Sequence, residues 1–117
     1  METRVLIYRI QDTDGRGPYK PGFSRQWVSK RGPIPPPTWM EEFGTELFDQ
    51  IKPGEHLGCG CRSMEQINKW FMREEIDRLR LLGYSIVKMR ADRILAESKH
   101  QIVFARNTPL NLDLLGE

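Results

Sequence analysis

Six of the eight prolines and four of the ten glycines lie between Gly15 and Pro37. Proline breaks a helix interior and cannot donate to a sheet ladder, and glycine brings backbone freedom that regular structure must remove. Regular structure is therefore confined to a short stretch before this segment and a longer one after it. Loops of such length in a compact domain are functional or disordered. The 117 residues suit one domain, 1–117, with an irregular Gly/Pro-rich loop at 15–37 and a peripheral tail at 107–117.

Before the loop, "RVLIYRI" (4–10) is rich in branched and aromatic residues and predicts a strand. Val5, Ile7 and Arg9 share one face of it, and Leu6, Tyr8 and Ile10 the other. After the loop, Thr38 to Glu41 has the Thr-x-x-Glu form of a capping box. It predicts a helix from Trp39 to about Gln50, with Phe43 and Leu47 on one stripe. "HLGCGC" (56–61) predicts a short strand. Ser63 to Gln66 is a second capping box, opening a helix at Met64 that turns Ile67, Trp70 and Phe71 inward. That helix breaks near Met72 and restarts at Arg73, and Ile76, Leu79 and Leu82 carry its stripe to a stop at Gly83. "YSIVKMRADRIL" (84–95) predicts a strand bending near Ala91, and "HQIVFAR" (100–106) another, with the short polar "AESK" between them suiting a hairpin or a tight connection. The order predicts an α+β fold: a small mixed or antiparallel sheet with two to three helices.

In a strand over 56–61, Gly58 and Gly60 share one face and leave it bare, while Cys59 and Cys61 look the other way, into the core. A bare strip invites an occupant. A neighbouring aromatic such as Trp70 would fill it, and so would the flat ring of a ligand. His56, Cys59, Cys61 and His100 are zinc-competent types. Same-face strand residues sit roughly 7 Å apart, however, and there is no Cys-x-x-Cys pair, so no metal is expected.

The net charge is only +2, yet Arg16, Lys20, Arg25, Lys30 and Arg31 crowd into residues 15–33 with no acidic residue among them. Tyr19, Phe23 and Trp27 interleave with Arg16, Lys20 and Arg25. Such a set suits a protein target, where aromatic and arginine anchors dominate binding. It also suits nucleic acid, where cations hold the backbone and aromatics stack on bases. No stretch approaches the roughly 20 apolar residues of a membrane span. The opening residues lack signal-peptide character, and two cysteines make no disulfide framework. The expectation is a reducing, cytoplasmic setting with no membrane partner.

The order of elements resembles the ADP-ribosyltransferase-like fold, in its arginine-serine-glutamate branch. "LIYRI" supplies Arg9 where that family carries its first-strand arginine. "GCGCRS" followed by "MEQINKWF" supplies Ser63 at the serine motif, and "YSIVKMRADRILAESKHQIVFAR" resembles the closing strands. Gln101 stands where the family has its catalytic glutamate. The resemblance implies NAD as cofactor, with Arg9, Ser63 and Gln101 as catalytic positions and Tyr8, Arg9, Gly58, Gly60, Ser63 and Trp70 around the nucleotide. An amide hydrogen-bonds a ribose hydroxyl but brings no charge to an oxocarbenium-like state, which implies a site degenerate in catalysis. Glu97 would replace it only by folding back. In size the chain also resembles small phage and prophage proteins that disarm host factors. That second resemblance implies a non-enzymatic inhibitor docking through residues 15–37.

Overall fold

The structure is a computed structural model and describes residues 5–18, 43–99 and 101–115. β1 (Val5–Gln11) and β3 (Ser85–Ala91) pair antiparallel along their whole length, with Ile7 opposite Met89 and Ile10 opposite Ile86. Each face of this ribbon carries apolar residues packed against another layer, while Arg90 is exposed. Ile7, Met89 and Ala91 look toward Ile102 and Phe104 of a three-stranded antiparallel sheet. Its order is β2 (His56–Gly60), β5 (Ile102–Arg106), β4 (Arg93–Glu97). Ile10, with Tyr8 and Ile86 beside it, packs against Ile67, Phe71, Ile76 and Leu79 of a helical layer. Burying each such side chain stabilises the fold by about 1.5–3 kcal/mol. The α+β reading and the antiparallel pairing hold.

The helical layer is α1 (Met64–Trp70) followed by α2 (Arg73–Leu81). Ser63 starts α1 as the sequence predicts: its hydroxyl accepts the Gln66 N–H at 3.2 Å. The break falls at Phe71 and Met72, both extended, and Glu75 restarts the helix by accepting the Met72 N–H at 2.8 Å. Gly83, at φ +92°, ends it. Tyr84 N–H reaches back to Leu79 O and Gly83 N–H to Arg80 O, the paired bonds of a Schellman stop.

Two expectations change. The strand predicted over 84–95 is two strands in two sheets. Asp92 forms the corner, its N–H donating to Ala105 O at 3.0 Å and its carboxylate accepting the Asn107 N–H at 2.7 Å. The helix predicted to reach Gln50 is, where described, a 3-10 helix at Thr45–Gln50. Gly44, at φ +81°, takes the chain out of α geometry just before it. The capping box at 38–41 lies outside the described residues. No helix among the described residues is long and apolar enough to cross a membrane.

Candidate functional site

Arg9 sits on the sheet-facing side of β1 and is 7% exposed. Its guanidinium donates to three acceptors: Gln11 Oε1 at 2.9 Å, Cys59 O at 2.9 Å and Gly15 O at 2.8 Å. Burial holds its pKa below the usual arginine value. Gln11, 1% exposed, passes the contact on, its amide donating to Leu110 O at 2.8 Å. One buried guanidinium thus joins β1, β2 and the turn that opens the Gly/Pro-rich segment. Asp12 shapes that turn by accepting the N–H groups of Asp14 and Arg16, each at 2.9 Å. Arg16 itself is exposed.

The bare strip predicted on β2 is not bare, and of the two cysteines expected in the core only Cys61 is there. Gly58 pairs with Phe104 and Gly60 with Ile102, so the glycines face the core and Cys59 faces away, half-buried. A Cβ on Gly58 would lie 2.9 Å from Phe104 and 3.1 Å from Leu110. On Gly60 it would lie 2.5 Å from Ile7 and 2.6 Å from Tyr8 O. These glycines let β1 and the tail approach the sheet, and the occupants are Phe104, Leu110 and Ile7 rather than Trp70. Cys61 leaves the ladder, exchanges backbone bonds with Tyr8 and enters the helical core. Burial pushes its thiol up to about 12, so it is a small apolar group at neutral pH.

The remaining positions divide between the two faces of the ribbon. Arg9, Gly58 and Gly60 come together on the sheet side. Tyr8 and Trp70 flank the helical core, where Trp70 and Phe71 sit with ring centroids 6.4 Å apart. Ser63 caps α1. Gln101 is 2% exposed at the entry to β5, where its N–H donates to Ser98 Oγ at 3.3 Å. Glu97 is held by Arg62 through two bonds, which lowers its pKa. Tyr19, Lys20, Phe23, Arg25 and Trp27 lie outside the described residues, as does His100. Among the described residues no three His, Cys, Asp or Glu side chains cluster as a metal site would need.

A family model described as Bacteriophage T4 Y00F protein matches residues 1–113. The chain belongs to that family. No curated protein and no solved structure matches it.

The T4 Y00F family assignment supports phage origin and covers the Gly/Pro-rich segment, the strands and most of the tail. In this family member the tail is more firmly built than its sequence suggests. Leu110 packs at the edge of the sheet-side core and against Gly15. Arg106, 3% exposed, donates to Leu112 O at 2.7 Å, and Leu115 N–H donates to Lys88 O at 2.9 Å. Gln11, Arg106 and Leu110 were not singled out by sequence. The signals that could have found Leu110 and Gln11 are the alternate leucines at 110, 112 and 114 and a glutamine in phase with Ile7 and Arg9.

Proposed function

We propose that this phage protein is a non-enzymatic inhibitor that binds a host protein through the basic and aromatic segment 15–37. The observation that supports this reading best is how Arg9 is used. Its N–H groups bind Gln11, Cys59 O and Gly15 O, so the first-strand guanidinium anchors the base of the segment. A fixed root lowers the ordering cost when the residues beyond it engage a partner. Arg16 stands exposed at that root, and the five basic residues of 15–33 fit an acidic protein surface.

The test is affinity capture from host extract with the native chain and with an Arg16→Glu, Lys20→Glu, Arg25→Glu variant, after nuclease treatment. The expected result is a partner retained by the native chain, resistant to nuclease and lost with the variant. Equal capture by both would reject the reading, and loss on nuclease treatment alone would move it to a nucleic-acid complex. The ADP-ribosyltransferase-like reading keeps Arg9, Ser63 and Gln101 as its residues. It requires heat of binding on titration with NAD, and nicotinamide release from a Gln101→Glu variant.

A further inference from the structure

Among the described residues, the exposed large apolar side chains are Met64, Leu81, Leu82, Leu112, Leu114 and Leu115. Three of these six fall within four residues of the tail, at 53%, 39% and 37% exposure. They are not loose. The tail backbone is tethered at Leu110 O by Gln11, at Leu112 O by Arg106 and at Leu115 N–H by Lys88 O. A segment held at three points by its backbone, with its leucines outward, is already ordered for contact.

The charges beside it suggest what makes that contact. A cleft of about 50 Å³ adjoins Leu115, lined also by Arg90, Asp92, Arg106, Thr108 and Asp113. Arg106 is buried and Asp92 half-buried, and both are already bonded within the chain, so the exposed charges here are one of each sign, Arg90 and Asp113. A nucleic acid or a strongly acidic surface would meet Asp113, and a strongly basic one Arg90. A second copy of the same face brings both signs. In a two-fold interface each residue pair occurs twice, so Arg90 of one copy against Asp113 of the other satisfies both copies at once. Both side chains are exposed. Exposed leucines next to exposed charges of both signs supply the apolar and polar parts that a protein interface needs.

We propose that the tail face, centred on Leu112, Leu114 and Leu115, is a homodimer interface in which Arg90 and Asp113 pair across the two-fold axis. This dimer uses residues apart from the basic docking segment and stands or falls separately from it. The test is sedimentation equilibrium of the full chain over a wide concentration range, with thermal melts alongside. The expected result is a mass that doubles with concentration. Leu112→Asp combined with Leu114→Asp should raise the dimer dissociation constant by ~10-fold or more without lowering the monomer's melting temperature. Arg90→Asp should weaken the dimer, and adding Asp113→Arg should restore it. A chain monomeric at every concentration would overturn the proposal, and so would a dimer indifferent to the leucine pair.

Discussion

On one side of the β1–β3 ribbon, α1 and α2 lay Ile67, Phe71, Ile76 and Leu79 against Ile10, Cys61 and Tyr84. On the other side, beyond the three-stranded sheet's glycines, the tail is attached chiefly through backbone atoms gripped by Gln11 and Arg106. The two attachments have opposite consequences. Apolar burial turns Ile67, Ile76 and Leu79 inward and leaves most of the helices' charge outside. Tethering by buried polar side chains fixes a backbone beyond Leu110 while Leu112, Leu114 and Leu115 stay exposed. A tethered segment can therefore be ordered while most of its leucines stay exposed, whereas on the helices exposed apolar side chains are confined to the ends, at Met64, Leu81 and Leu82.

The contrast can be broken by mutation, and the largest effect belongs to the helical side. Leu79 is 1% exposed, and Leu79→Ala should cost about 3 kcal/mol of unfolding free energy in a urea titration. Gly60→Ala comes next, at about 2 kcal/mol, because the new methyl would press on Ile7 and on the Tyr8 carbonyl rather than on a flexible side-chain tip. Gln11→Leu should cost about 1–2 kcal/mol by leaving Leu110 O and the Arg9 Nε–H without their partner. Its sharper signature is local. Amide exchange at Leu112 and Leu115 should accelerate well beyond that at Tyr84, whose Schellman bond belongs to the other side. Equal acceleration at all three would mean that the tail is not separately tethered.

How far the sequence revealed this arrangement depended on whether the information was local. The Ser63 cap, the break at Met72, the stop at Gly83 and the first strand are set by residues within a turn of one another. All were legible. The orientation of the glycine–cysteine strand was not, because alternation fixes which residues share a face but not which face meets the core. That choice is made by Phe104, more than forty residues later in the chain. Asp92 was equally hidden: a bend near Ala91 was visible, but not that the two halves join different sheets. For the candidate site, the sequence singled out Arg9 as a nucleotide-binding residue, whereas its guanidinium is bound to groups of the chain itself. The sequence could not show that its acceptors would be Gly15 O, Cys59 O and Gln11, since two of the three are backbone carbonyls.

The smallest predicted effect tests a third kind of attachment, an ion pair at the edge of the sheet. Arg93 grips Glu55 through two bonds, Nε to Oε2 at 2.8 Å and Nη2 to Oε1 at 2.7 Å, and the same guanidinium reaches Gln50 O. Glu55 also accepts the Lys52 N–H at 2.7 Å. The Arg93 hydrogen bonds, and then the Lys52 amide, hold the Glu55 carboxyl at about 2, below its ordinary 4.5. A carboxyl lowered by folding stabilises the native state above its unfolded value, and that stabilisation disappears as pH falls through the folded value. Native chain should therefore melt higher than Glu55→Gln at neutral pH. The gap should hold down to about 4.5 and close between there and about 2. Gln11→Leu, which removes an uncharged tether, should show a gap that does not change over the same window. If both gaps close together, the acid loss comes from elsewhere in the fold and the Glu55–Arg93 pair does not fasten the 50–55 segment to β4.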